Sequence, residues 1–127
     1  MIVAGIGSRK GVSALEVIAA IDAALAEHEL DRNRLSMLAT SSIKKDEAGI
    51  IAASASMNLP LVLVDEQALA DVSPDTLTRS QASLAASGAP SVSEAAALAA
   101  AGLGARLAGP RTAVGAVTCA LAFGDER

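Results

Sequence analysis

The opening of the chain, residues 1–11, constrains the fold more than any other segment. It reads Met-Ile-Val-Ala-Gly-Ile-Gly-Ser-Arg-Lys-Gly, an apolar run typical of a buried strand that leads into a glycine-containing turn. A helix is predicted directly after the turn, because Ser13 and Glu16 have the spacing of a capping box. Such a strand–turn–helix unit presents backbone N–H groups and a helix N-terminus to an anion.

Beyond this unit, the sequence pattern alternates between strand and helix. Strands are predicted at residues 1–6, 35–40 and 61–64, and helices at 14–29, 44–57 and 65–69. Residues 71–90 follow and are rich in Ser, Asp, Gly and Pro. We expect turns or a mobile loop there.

The C-terminal third is predicted to add one helix and two apolar segments. Ser91 and Glu94 have the spacing of a second capping box, which opens an alanine-rich helix. Apolar segments at 105–108 and 114–123 follow, the second predicted as one long strand. The whole pattern predicts a single α/β domain over residues 1–127, with a mixed but mainly parallel sheet of about five strands.

Aromatic residues are almost absent, with one Phe, no Trp and no Tyr among 127 residues. The chain is 52% hydrophobic, so its core is built from Ala, Val, Leu and Ile, which suits helices packed closely on a sheet. The near absence of aromatic rings argues against a nucleic-acid partner. The excess of acidic residues, 14 Asp and Glu against 10 Lys and Arg, argues against binding to nucleic acid or to a membrane surface. A single cysteine, Cys119, excludes an internal disulfide and a thiolate metal cluster.

The N-terminus has no basic segment followed by a long apolar stretch, and no apolar run reaches about 20 residues. A cytoplasmic location is therefore expected. We expect Cys119 to be a small buried apolar group, and His28 to lie at the surface near the end of the first helix. With one His and one Cys far apart in the sequence, neither a metal site nor a Cys–His nucleophile is predicted.

Positive charge is concentrated after the first two predicted strands. In a parallel sheet these turns lie along one edge, where ligands bind. Four of the ten Lys and Arg residues fall there, namely Arg9, Lys10, Lys44 and Lys45. In a chain of net charge −4 this indicates a pocket for carboxylates or phosphates, although solvated cations explain the pattern equally well. Asp46 and Glu47 also suit the positive end of a helix on structural grounds alone.

A small nucleotide-binding or phosphate-binding domain is a weaker alternative. The turn at residues 5–11 lacks the third glycine of the dinucleotide fingerprint, and it lacks the Gly-Lys-Ser/Thr ending of a phosphate-binding loop. Capping fully explains Ser91 and Glu94, and a ligand role would be an addition to it.

Three motifs, in order along nearly the whole chain, resemble the CobE family of cobalamin biosynthesis, whose module also forms the C-terminal domain of CbiG. They are Gly5–Gly11, Leu38–Thr40 with Lys44–Gly49, and Gly88–Leu98. The resemblance implies a three-layer αβα sandwich and a role in making the corrin ring. It also implies a corrinoid or precorrin intermediate as the partner, because the acetate and propionate groups of such a macrocycle match the cations.

Two other functions are compatible with this resemblance. One is a hydrolase that opens a precorrin lactone and releases the extruded ring carbon as acetaldehyde, as CbiG does in the anaerobic route. The other is a non-enzymatic partner of a precorrin methyltransferase. No cofactor is predicted, and the alanine-rich helices suit a homodimer as well as packing on the sheet.

The resemblance also implies the candidate site residues. Ligand contact is assigned to Gly7, Ser8, Arg9, Lys10, Thr40, Lys44, Ser91 and Glu94, and acid–base chemistry to Asp46 and Glu47. Family members commonly have Cys where this chain has Ser8, which weakens a thiolate mechanism at this position. Relatives often have an acidic residue in the turn at 40–43, and this chain has none there.

Overall fold

The computed structural model describes residues 1–80 and 91–124 and confirms the α/β fold. These residues form six strands, namely β1 (Ile2–Ser8), β2 (Leu35–Ser41), β3 (Leu61–Val64), β4 (Arg106–Leu107), β5 (Thr112–Val114) and β6 (Val117–Phe123). The described helices are α1 (Ala14–Glu27), α2 (Ala48–Met57), α3 (Glu66–Val72) and α4 (Val92–Ala101). Single 3₁₀ turns are formed at Arg32–Arg34, Ser42–Lys44 and Ser73–Asp75. Of the predicted irregular stretch 71–90, residues 81–90 lie outside the described residues.

The sheet has the strand order β3-β2-β1-β6-β4, and β5 pairs with the same edge of β6 as β4 does. The pairs β1–β2 and β2–β3 are parallel. Strand β6 is antiparallel to β1, to β4 and to β5. Strand β6 therefore runs against the other five, so the sheet is mixed and mainly parallel in strand direction, as predicted.

The sequence predicted one long strand at 114–123, and this prediction is wrong at its start. The structure has two strands there, which makes six strands instead of five. Val114 ends β5, and the chain turns at Gly115 and Ala116 before β6 begins at Val117. Gly115 has a φ of 57°, a left-handed conformation that favours glycine and permits the tight turn. The outcome is a short hairpin whose tip lies beside the end of β1.

Helices cover both faces of the sheet and form the three layers. Strand β1 contributes to both apolar clusters, since its side chains alternate between the faces. Ile2 and Ile6 pack with α1 and α2, whereas Val3 packs with α3 and α4. Small residues dominate the second cluster, as expected for a core that is nearly free of aromatic rings.

Capping residues set most helix boundaries where the sequence predicted them. The capping box of Ser13 and Glu16 is complete, and the Asp65 side chain accepts a hydrogen bond from Ala68 N. The predicted start of α2 at residue 44 is wrong by four residues. Ser41 accepts a hydrogen bond from Ile43 N and begins a 3₁₀ turn instead, so α2 starts at Ala48. No helix among the described residues is long and apolar enough to span a membrane.

Candidate ligand-binding cleft

An open cleft of about 1090 Å³ lies at the carboxyl-terminal ends of β1 and β2. This is the edge of the sheet where the sequence places a site. Seven of the ten predicted site residues line it, namely Gly7, Ser8, Arg9, Lys10, Lys44, Asp46 and Glu47. The first turn of α4 and the β5–β6 hairpin complete the walls through Val92, Gly115, Ala116 and Thr118.

Positive side chains converge on this cleft from three segments that are far apart in sequence. Arg9 and Lys10 come from the turn after β1, Lys44 from the turn after β2, and Arg111 from the connection between β4 and β5. Like charges brought together repel unless an anion lies between them. The arrangement therefore suits a ligand that carries several negative groups.

Arg111 is the cationic residue that sequence reasoning missed. It lies about 100 residues after the first cationic turn. The local sequence Gly109-Pro110-Arg111 predicts a turn and does not indicate a binding site. Only the antiparallel pairing of β5 with β6, and of β6 with β1, brings this connection to the cleft. Lys45, which the sequence groups with the cations, is exposed and does not line the cleft.

Backbone hydrogen bonds hold the cationic turn after β1 from two sides. Arg9 N donates to the carbonyl oxygen of Ala116 at 3.1 Å, which ties the turn to the β5–β6 hairpin. Gly11 N donates to Glu47 Oε1 at 2.7 Å, which ties it to the start of α2. A Cβ built on Gly49 would lie 2.0 Å from the carbonyl oxygen of Val12, so a glycine is needed where these two segments meet.

The polar groups that the cleft offers are thus of two kinds. Guanidinium and ammonium groups of Arg9, Lys10, Lys44 and Arg111 donate hydrogen bonds to an anion. Asp46 and Glu47 are the only carboxylates among the lining residues. They could accept a proton or a hydrogen bond from the same ligand, although one oxygen of Glu47 already accepts from Gly11 N.

Three predicted site residues do not line the cleft, and each has a structural contact. Thr40 is buried, and its hydroxyl donates to the carbonyl oxygen of Ile6 at 2.7 Å. Ser91 is buried and caps α4, since its hydroxyl accepts from Glu94 N. Glu94 is buried as well. Their assignment to ligand contact stays a prediction, which their burial does not favour.

The Glu94 carboxylate accepts four hydrogen bonds. Oε1 accepts from Leu77 N at 2.6 Å and Thr78 N at 2.8 Å, and Oε2 accepts from the Thr78 hydroxyl at 2.6 Å and Arg111 N at 2.9 Å. Burial raises the pKa of Glu94, but these hydrogen bonds outweigh it and hold the pKa below its ordinary value. The predicted second capping box is therefore wrong in its Glu94 half, because this carboxylate binds two loops instead of the Ser91 backbone.

Cys119 and His28 occupy structural positions. Cys119 is fully buried in β6, and burial raises the pKa of its thiol, which confirms its role as a small apolar group. His28 is the C-cap residue of α1, and its ring is half-buried against Gly109 rather than free at the surface. Within residues 1–80 and 91–124, no group of three or more His, Cys, Asp and Glu side chains is placed to hold a metal ion.

A family model described as "Cobalamin synthesis G C-terminus" matches residues 2–122. The chain belongs to this family. The match spans almost the whole chain, so it includes the cationic turns, α4 and the β5–β6 hairpin that form the cleft. The predicted relationship to CobE and to the C-terminal domain of CbiG is confirmed.

Solved structures of cobalamin biosynthesis proteins have the same fold. CobE, a protein from the cobalamin (vitamin B12) biosynthetic pathway, superposes with a TM-score of 0.93 at 35% identity, over 100% of this chain and 93% of CobE. Cobalamin biosynthesis protein chiG from Agrobacterium tumefaciens str. C58 is 48% identical, with a TM-score of 0.79 over 99% of this chain and 100% of chiG. A cobalamin biosynthesis protein G homolog from Sulfolobus solfataricus is 25% identical, with a TM-score of 0.75, over 98% of this chain and 37% of that protein.

No curated protein matches the chain in sequence. The family and the similar structures nevertheless agree with one another, and they identify a protein of cobalamin biosynthesis.

Proposed function

We propose that this protein binds a corrinoid or precorrin intermediate through the carboxylates on the rim of the macrocycle. The observation that carries the proposal is the convergence of Arg9, Lys10, Lys44 and Arg111 on one cleft in a chain of net charge −4. Arginine binds carboxylates through two parallel hydrogen bonds, and lysine supplies a compact positive charge. Several cations at separate points of one cleft suit a ligand whose carboxylates are spread around a ring.

The size and the apolar walls of the cleft support a large ligand. Its volume of about 1090 Å³ is slightly above the ordinary range for small-molecule sites, roughly 300–1,000 Å³. Ile43 lines the cleft with 53% of its surface exposed. Together with Val92 and Ala116, Ile43 offers apolar contact to the flat face of a macrocycle, while the cations meet its charged edge.

Binding is tested by titrating the protein with hydrogenobyrinic acid and following the absorbance of the macrocycle. We expect saturable binding by the intact protein and about a hundredfold weaker binding by the Arg9→Ala/Lys10→Ala variant, as expected for the loss of two charge-assisted contacts. The matched control is Arg32→Ala/Arg34→Ala. It removes the same charge from the turn before β2, at the opposite edge of the sheet, and we expect it to bind like the intact protein.

Two outcomes would contradict this proposal. If the intact protein binds neither hydrogenobyrinic acid nor an earlier precorrin, the proposal fails, and co-purification with a precorrin methyltransferase would then favour the role of a non-enzymatic partner. If both double variants lose affinity equally, binding follows net charge rather than the cleft.

Hydrolysis of a precorrin lactone is a second candidate function, supported by the two carboxylates that line the cleft, Asp46 and Glu47. In this reaction a carboxylate takes a proton from water as the water adds to the lactone carbonyl. The ring C–O bond then breaks, the leaving oxygen takes up the proton, and a carboxylic acid and an alcohol result. Acetaldehyde is released when this alcohol loses its O–H proton and becomes a carbonyl group, while the C–C bond to the macrocycle breaks and the macrocycle keeps the electron pair and takes up the proton.

Turnover is tested by measuring acetaldehyde release with Asp46→Asn and Glu47→Gln. Glu47→Gln keeps an oxygen that accepts from Gly11 N, so it removes the base with little change to the turn. Glu66→Gln removes an exposed carboxylate at the start of α3 and serves as the control. Acetaldehyde release that survives both cleft variants would exclude Asp46 and Glu47 as the base.

A further inference from the structure

We infer that Glu94, which does not itself line the cleft, is a positioning residue that holds Arg111 in place for the ligand. This inference rests on the proposed function, since it assigns Arg111 to carboxylate contact. It replaces direct contact between Glu94 and the ligand with an indirect role through the backbone of the connection between β4 and β5.

The first observation concerns the edge of the sheet at Arg111. Leu107 pairs with Ala122, and Thr112 pairs with Cys119. Four residues lie between Leu107 and Thr112, whereas only two residues lie between their partners on β6. The segment 109–111 therefore bulges out of the ladder, and its backbone direction is not set by β6.

The Glu94 carboxylate supplies the missing constraint. Its Oε2 accepts from Arg111 N at 2.9 Å, at the residue where the bulge ends and β5 begins. Pro110, the preceding residue, has no N–H to donate. The bond to Glu94 thus fixes the backbone of the residue whose side chain lines the cleft.

The second observation is the chemical cost of this carboxylate. Glu94 has no measurable exposure, and an ionised group in that setting is unfavourable unless hydrogen bonds compensate for lost water. An apolar side chain at this position would leave the N–H groups of Leu77, Thr78 and Arg111 without this acceptor. A carboxylate can accept hydrogen bonds from the N–H groups of two loops at once, and an apolar side chain cannot. This role accounts for an acidic residue at position 94.

The third observation is geometric. Glu94 lies in the first turn of α4, and Val92 of the same turn lines the cleft. Ser93, between them, contacts Gly5 of β1 through its backbone. The helix turn is thus fixed to the sheet. Because the Glu94 carboxylate belongs to this turn and bonds to Arg111 N, it also fixes the loop that carries Arg111 relative to the sheet.

The test compares Glu94→Gln, Arg111→Ala and the double variant in affinity for hydrogenobyrinic acid. Arg111→Ala should bind about tenfold more weakly through loss of one charge-assisted contact. Glu94→Gln should lose a similar factor, and the double variant should be no weaker than the weaker single variant, since both changes act on one contact. Affinity unchanged in Glu94→Gln, or losses that multiply in the double variant, would overturn the inference.

A ligand-free measurement separates this inference from the proposed function. In ¹⁵N-labelled protein, Glu94→Gln should shift the Arg111 amide proton upfield and lower the order parameter of its N–H bond. Thr78→Val is the matched control, because it removes one hydrogen bond from the same carboxylate but leaves Arg111 N bonded. Because the Thr78 hydroxyl and Arg111 N share Oε2, this variant should change the Arg111 signals far less than Glu94→Gln does, and it should leave the affinity unchanged.

Should Glu94→Gln not fold, Glu94→Asp retains the charge and draws the carboxylate back from the loops, and the same shifts are expected. An Arg111 amide that does not respond to either variant would overturn the inference. An intact protein that does not bind the macrocycle would overturn the proposed function instead.

Discussion

Gly5 of β1 lies directly beneath the backbone of Ser93 in α4, so that a Cβ built on the glycine would be 1.9 Å from the Ser93 carbonyl oxygen. The same Cβ would lie 2.7 Å from Ala97 N. The first glycine of Gly5-Ile6-Gly7, which the structure places within β1 rather than in a turn, therefore serves close packing between a helix and the sheet. This packing brings the first turn of α4 to the edge of the cleft.

Replacing Gly5 with alanine should destabilise the protein by at least about 3 kcal/mol, because α4 must move away from β1 to admit the methyl group. The free energy of unfolding in urea measures this loss. Gly11→Ala is the comparison, since nothing lies within 4 Å of a Cβ there and only the positive φ of 82° is unfavourable. It should cost about 1–2 kcal/mol. Equal losses for the two variants would mean that α4 does not pack as closely as described.

Glu94 should make stability depend on pH in acid. Its folded pKa lies below the ordinary value of 4.5, so its contribution is present above that value and is lost as the pH falls through the folded pKa. At neutral pH, Glu94→Gln should be about 2–3 kcal/mol less stable, because its amide cannot accept from all four donors.

This difference should shrink as urea unfolding is repeated at successively lower pH below 4.5, the ordinary pKa of the group. Glu66→Gln, which removes an exposed carboxylate of α3, should keep the pH dependence of the intact protein. If the difference in the free energy of unfolding between the intact protein and Glu94→Gln stays constant as the pH is lowered, Glu94 is not ionised in the folded state.

The Cys119 thiol should not react in the folded protein. It is fully buried in β6, and burial raises its pKa, so neither access nor thiolate is available to a reagent. A colorimetric disulfide reagent should label the protein only as fast as it unfolds, and rapidly in urea. Stoichiometric labelling in native buffer within the mixing time would contradict the described burial.

The sequence predicted the elements that depend on local signals. The capping box at Ser13 and the caps at Asp65 and Ser91 placed three helix starts, because a cap acts within one turn of its own helix. The cations after β1 and β2 were also predictable, since parallel strands end at the same edge of a sheet. The resemblance to the CobE family supplied the ligand class, which no local pattern contained.

What the sequence did not predict depends on contacts between distant segments. Arg111 reaches the cleft only through the pairing of β5 with β6, and the Glu94 carboxylate leaves its own helix end for loops 17 residues away in either direction. A capping box and such a buried anchor have the same local sequence. Which of the two forms depends on whether neighbouring loops place N–H groups beside the carboxylate.

The proposed ligand should be recognised by its charge. A macrocycle in which the rim carboxylates are amidated is neutral at those positions, so it loses the charge-assisted bonds to Arg9, Lys10, Lys44 and Arg111. We expect it to bind at least about tenfold more weakly than hydrogenobyrinic acid. Raised salt should weaken the binding of hydrogenobyrinic acid more than the binding of the amidated macrocycle. Equal affinity for the two would mean that the cations do not contact the rim.

Mapping the binding surface in solution tests whether the macrocycle binds in this cleft. Hydrogenobyrinic acid is added to ¹⁵N-labelled protein, and the amide signals are followed. We expect saturable shifts at residues 7–10, 41–47 and 111–118, the segments that contribute lining residues to the cleft, and unchanged signals at Arg32–Arg34 on the opposite edge. Shifts spread over exposed cations, or no shifts at saturating ligand, would contradict a corrinoid site in this cleft.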